Sequence, residues 1–169
     1  SIIEKNNNYS FYSFGWPIIS CKKPNLIKPG VNPLDQFHIN YYIKNVLPKI
    51  PKDDIKVVYM HWCYEMEPYI QPLHRDFSKK LIDAGVNLIV GAHSHVTGPI
   101  EKYKDGFIIH SLGNFLFSSK KFCNGKLNYP EICNSELMIE IDGLSNIKVH
   151  KIELKNNNLK LISTSNIHK

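Results

Sequence analysis

Short apolar runs, each ending on a distinctive residue, divide this chain. Asp54-Ile-Lys-Val-Val-Tyr-Met-His61-Trp62 is β-branched and apolar, predicts a strand, and finishes on a histidine. Leu73, Phe77, Leu81 and Ala84 follow at spacings of 4, 4 and 3, the stripe of an amphipathic helix closed by Gly85. Asn87-Leu-Ile-Val-Gly91 is a second apolar run and leads straight into Ala92-His93-Ser94-His95. Strand, helix and strand at these lengths predict a right-handed βαβ unit with parallel strands.

The same pattern organises the flanks. Residues 9–14 alternate aromatics with serine and read as a strand stopped by Gly15-Trp-Pro17, and Cys21 follows another short apolar strand candidate. Residues 21–33 form a lysine- and proline-bearing connector. Ile39, Tyr42, Ile43, Val46 and Leu47 then predict a helix over 35–47, with Asp35 at its start and Pro48 and Pro51 ending it. Residues 62–71 hold too many aromatics, prolines and glutamates for regular structure. Phe107 to His110 is a third short strand, and 118–134 is a polar loop of lid or insertion length. Leu137, Ile139 and Ile141 mark a half-buried strand. Ile147, Val149, Ile152 and Leu154 mark another, whose phase slips after Val149 as a bulge would require. Asn156-Asn-Asn158 turns the chain back into 159–162.

Ligand sites in open α/β sheets gather beyond the carboxyl ends of the strands. The crossover from His61 to His93 therefore predicts that His61, His93 and His95 meet at one sheet edge, where three imidazoles make a metal site. Histidine is common in this chain, eight in all, so the conjunction carries the reading and no single ring does. Glu65 and Glu67 hang over that edge as candidate metal ligands or general acid–base groups, Glu67 reading more simply as a solvated loop residue. Pro72 fits a first helical turn, and Arg75 sits in that turn. Arg75 is the one arginine beside 20 lysines, which suggests a bidentate grip on carboxylate or phosphate. An ion pair with Asp76 or Asp83 explains it equally well. Gly113 permits a tight turn, and Asn114 is placed to orient a ligand or fix its loop.

His61-Trp-Cys-Tyr-Glu65, Pro68, Gln71-Pro-Leu-His-Arg75, Leu81-Ile-Asp-Ala-Gly85, Leu88-Ile-Val-Gly-Ala-His-Ser-His95, Ile100-Glu101-Lys-Tyr103 and His110-Ser-Leu-Gly-Asn-Phe115 stand in the order seen in bacterial capsule-synthesis proteins. The chain thus resembles the CapA, or poly-γ-glutamate-synthesis, family, whose domain is similar to calcineurin-like metallophosphoesterases. The resemblance is densest over residues 55–117 and extends over 9–154. It implies an α/β fold, the C-terminal portion of a two-sheet αββα sandwich. It also implies a divalent metal (Mn, Fe or Zn, binuclear in the complete domain) held partly by His61, His93 and His95. Glu65 and Asn114 would be catalytic and Arg75 substrate-binding. The superfamily's Asp-x-His, Gly-Asp and Asn-His sequences do not occur in these residues. The resemblance therefore implies a single partial domain whose first metal carboxylates are missing. Two functions remain open: metal-dependent hydrolysis in capsule biosynthesis, and a non-catalytic module that binds anionic polymer or assists assembly.

At 169 residues one domain with a sizeable core is expected. The chain opens on serine and its first methionine is Met60, which suggests part of a longer protein. No apolar run reaches the roughly 20 residues of a membrane span, so any membrane association would come through a missing N-terminus, and localisation is left undecided. The net charge of +6 is dispersed, which argues against a nucleic-acid footprint and suits an anionic polymer or phosphorylated small molecule. Cys123 and Cys133 bracket a loop and would pair if exported. Four free thiols are equally allowed.

Overall fold

The computed structural model describes residues 8–115, 129–155 and 158–167. Its centre is a five-stranded sheet in the order β1-β2-β3-β5-β4. The strands are β1 (Tyr9–Gly15), β2 (Ile55–His61), β3 (Leu88–Ala92), β4 (Ile100–Tyr103) and β5 (Gly106–Ile109). β1, β2, β3 and β5 run parallel, and β4 returns antiparallel along β5. Gly15 lies opposite His61 and His61 opposite Ala92, so three adjacent strands end in line. The predicted βαβ unit is present.

One face of this sheet carries the helices. α1 (Gln36–Tyr41) is capped by Asp35, whose Oδ1 accepts the His38 N–H at 2.9 Å. The expected single helix over 35–47 is broken into three forms. α-helix gives way to π-helix at Tyr42–Val46 and to 3-10 helix at Leu47–Lys49. Pro48 lacks the N–H that a continuing α-helix needs there, and winding changes keep the apolar side on the sheet. Ile39, Tyr42 and Leu47 still join Phe14, Val58 and Met60 in one core.

α2 (Pro72–Asp83) begins at Pro72 as expected. Its buried face is His74, Phe77, Ser78, Leu81 and Ile82, whereas Leu73 is 53 % exposed. The stripe is thus turned by about one residue from the apolar reading, because His74 at the helix start goes inward against Trp16 and Trp62. The apolar candidate before Cys21 is a 3-10 turn, Pro17–Ile19, and no strand.

The opposite face packs on a second, antiparallel sheet of β6 (Ser135–Ile141), β7 (Ile147–Lys155) and β8 (Asn158–Ile167). Val57, Leu88, Val90, Phe107 and Ile109 meet Ile147, with Leu137, Ile139 and Ile141 alongside. The layers are helix, sheet, sheet: an α/β fold with two sheets. The pairing of β7 with β8 shifts register between Lys151 and Ile152, where the extra residue is Ile162 of β8; β7, in which the phase slip after Val149 suggests a bulge, keeps unbroken register with β6. Cys133 is a buried free thiol. Cys123, most of the expected polar loop and most of the 156–158 turn lie outside the described residues.

Candidate functional site

The three histidines meet. His61 is the last residue of β2, and its ring centroid lies 4.7 Å from that of His93. The His93 and His95 centroids are 5.9 Å apart. Both follow β3 in non-helical bends and do not extend the strand, so their shared direction owes nothing to strand alternation. His93 has φ 105° and His95 φ 62°, left-handed conformations that cost a residue with a side chain of order 1–3 kcal/mol each. The surrounding hydrogen bonds hold that strain. Trp62 N–H donates to the Ala92 carbonyl and Met66 N–H to the Ser94 carbonyl, at 3.1 and 2.7 Å. Ser94 Oγ donates to the Val96 carbonyl and lies 2.9 Å from Ser111 Oγ.

His95 Nδ1 is 2.6 Å from Asn114 Oδ1. An amide oxygen only accepts, so Nδ1 carries the proton and the neutral ring keeps its lone pair on Nε2. Asn114 is itself buried, and its Nδ2 reaches the Cys133 carbonyl at 3.4 Å, tying the site to the entry of β6. Burial lowers the His61 pKa, helped by the charge of His95. Burial likewise lowers that of His93, with His61 adding to the effect and the exposed Glu65 opposing it. Neutral imidazoles of this kind suit a borderline divalent cation. In number they fall short: among the described residues no three His, Cys, Asp or Glu donors stand close enough together to hold an ion. A cavity of about 560 Å³ opens beside His61, walled by Phe14, Ile19, Cys21, Val31 and Tyr59.

The family model for bacterial capsule synthesis protein PGA_cap matches residues 12–119, which contain every residue of this edge named so far except Cys133. The chain belongs to the bacterial capsule-synthesis family. It is 41% identical over 70 residues to the capsule biosynthesis protein CapA of Bacillus anthracis, covering 41% of this chain and 17% of that protein. It is 35% identical over 118 residues to the PGA biosynthesis protein CapA of Bacillus subtilis (strain 168), covering 68% of this chain and 30% of that one. The chain thus spans less than a third of the length of either relative. A Vps29 single mutant from Entamoeba histolytica aligns over 94% of this chain and 99% of its own at a TM-score of 0.37 and 9% identity, too low a likeness to carry an argument.

In this capsule-synthesis chain Arg75 pairs with neither Asp76 nor Asp83, and its two-pronged grip is on a carboxylate of the chain itself. Its Nε and Nη2 both donate to Glu101 Oε2 at 2.9 Å, and Glu101 also lies 3.4 Å from His110 Nε2. Burial acts to raise the Glu101 pKa, but hydrogen bonds and charge from Arg75 and His110 outweigh it and hold the carboxyl below its usual range. Behind the edge, Trp62 is fully buried, with His74 and His110 each stacked on its indole at 18°. Its Nε1 donates to the His110 carbonyl at 2.8 Å. Tyr129, within the stretch expected to be a polar loop, lies with its ring 4.7 Å from that of His95.

Proposed function

We propose that this chain supplies the histidine-bearing edge of a divalent-metal-dependent hydrolase site in a capsule-synthesis protein. The substrate class is an anionic polymer or a phosphorylated intermediate of capsule biosynthesis. The convergence of His61, His93 and His95 at the ends of parallel strands, with His95 oriented by Asn114, carries the reading. His61, His93 and His95 would hold Mn, Fe or Zn together with carboxylates from elsewhere in the longer protein. A metal bound there would polarise a phosphoryl oxygen and acidify a water.

The chain's own residues supply the rest. Burial keeps His61 and His93 neutral, which leaves their lone pairs for a cation. Asn114 holds the Nδ1 proton of His95 and so aims Nε2. Glu65, close enough to His93 to act on its charge, is the carboxylate placed to take or return a proton. Arg75 is committed to Glu101 and offers an incoming anion only its remaining N–H groups.

Titration calorimetry of the longer protein that contains this chain, with Zn²⁺ and Mn²⁺, tests the reading. One binding event that disappears in His93→Ala supports it. The absence of binding by either cation sinks it. A second reading, a non-catalytic module for anionic polymer, draws on the purely nitrogen donor set. Retention of poly-γ-glutamate without metal uptake would favour that module over the hydrolase.

A further inference from the structure

The loop 22–31 stands off the sheet and presents two bare aliphatic side chains. Leu26 and Ile27 are 106% and 91% exposed, the highest values among the large hydrophobic residues described, and neither belongs to a core cluster. Their display is built in. Asn25 Oδ1 accepts the backbone N–H groups of both Ile27 and Lys28, at 2.9 and 2.8 Å, and Asn25 N–H donates to the Lys28 carbonyl at 3.0 Å. Val31 N–H closes the base on the Lys22 carbonyl at 2.8 Å. Gly30 runs so close to Lys22 and Lys23 that a Cβ there would fall 2.6 Å or less from their backbone atoms. Two aliphatic residues are therefore held out in water by a closed, hydrogen-bonded tip.

The charge around that tip has one sign. Lys22, Lys23 and Lys28 are exposed and flank Leu26 and Ile27, and residues 5–34 contain no aspartate or glutamate. The nearest acid that engages the loop is Asp35, 3.5 Å from Lys23.

The geometry points to an anionic lipid surface as the partner of this loop. Aliphatic side chains at a rigid tip enter the acyl boundary, while flanking lysines keep their ammonium groups at the phosphates. A protein pocket complementary to Leu26 and Ile27 would need no cationic ring, whereas an anionic bilayer rewards both features at once. The same loop supplies Lys22, Gly30 and Val31 to the cavity beside His61, so docking would set that cavity at the membrane surface. The inference does not depend on a metal at the histidines.

Vesicle flotation of the whole 169-residue chain tests it. The vesicles are phosphatidylcholine alone, or phosphatidylcholine with about 30% phosphatidylglycerol. The wild type should float with the anionic vesicles and stay behind with the neutral ones. Leu26→Ser with Ile27→Ser should weaken association at least about tenfold. Each of Lys22→Gln and Lys28→Gln should weaken it about fivefold at low salt. Asn25 is untouched in these variants, and an unchanged thermal unfolding midpoint checks the fold. A single Leu26→Trp reporter should shift its emission to the blue on anionic vesicles. Equal flotation of wild type and the double serine variant, or none at all, overturns the proposal. So does a double variant that instead converts a dimer to monomer, since the tip would then be a protein contact.

Discussion

His95 Nδ1 stands 2.6 Å from Asn114 Oδ1, and this one contact fixes which nitrogen of His95 donates and which is left to offer a lone pair. Replacing Asn114 with alanine frees the ring to turn and to change tautomer. Metal affinity should fall by about 10- to 100-fold, as loss of an orienting partner does elsewhere. Calorimetric titration with Zn²⁺ checks this, and a lost Nδ1 proton resonance in the NMR spectrum confirms the cause. Unchanged affinity would separate Asn114 from the site.

Acid should loosen the fold through His74. The ring is 1% exposed and its pKa is lowered to about 4 by burial and by the charge of His110. A histidine with a depressed pKa stabilises the fold fully above its unfolded value of about 6.5, and that contribution is lost as pH falls toward 4. The loss amounts to about 3 kcal/mol over this window. Urea unfolding from neutral pH down to about pH 4 should show the slope, reduced in His74→Asn.

Glu136 acts in the opposite direction. Its carboxyl is fully buried, neither oxygen has a hydrogen-bond partner among the described residues, and its pKa is raised to about 7 by burial and by Glu153. A raised carboxyl pKa gives stability that is complete below about 4.5 and lost as pH rises through 7. Glu136→Gln should therefore be nearly neutral at about pH 4.5 and stabilising by about 3 kcal/mol at about pH 8. Parallel denaturation curves at both pH values measure it.

Gly91 allows Trp62 to reach the His110 carbonyl. A Cβ at Gly91 would sit 2.0 Å from the His110 oxygen and 2.4 Å from Trp62 Nε1. The first of these is backbone and has no rotamer by which to escape. Gly91→Ala should cost at least about 3 kcal/mol, since the strand must shift or the buried bond break. Trp62→Phe keeps the stack but loses the donor, and should cost about 2 kcal/mol or more. Thermal unfolding of both variants ranks them.

Arg75→Lys should be mild by comparison. The pair with Glu101 is half exposed on the arginine side, and such pairs contribute less than about 1 kcal/mol. Stability close to wild type is the expected result. A loss of several kcal/mol would mean that Arg75 organises the His110 side of the site.

The parallel unit from β2 to β3 was legible because its strands are β-branched, its helix is periodic and its histidines fall at strand ends. Other features were written in no local pattern. β4 is four residues long and mixes Ile, Glu, Lys and Tyr, so neither strand nor turn stands out, and Glu101, although within the family resemblance, shows no role in the pattern. The π segment at Tyr42–Val46 preserves the apolar phase of an α-helix, and so reads as one. The inward turn of His74 over Leu73 depends on Trp16 and Trp62, which come from two other parts of the chain. Tyr129 reaches His95 across 34 positions of sequence, a distance at which composition carries no signal.

Parallel pairing also has a cost in time. Tyr9 must find Ile55 and Ile55–His61 must find Leu88–Ala92 before the central sheet exists, so each contact closes a long loop. Chains built this way gather slowly, and until the sheet closes their aliphatic strands stay open to one another. Until β1 pairs with β2, Val58 and Met60 are without one of the two neighbouring strands that shelter them.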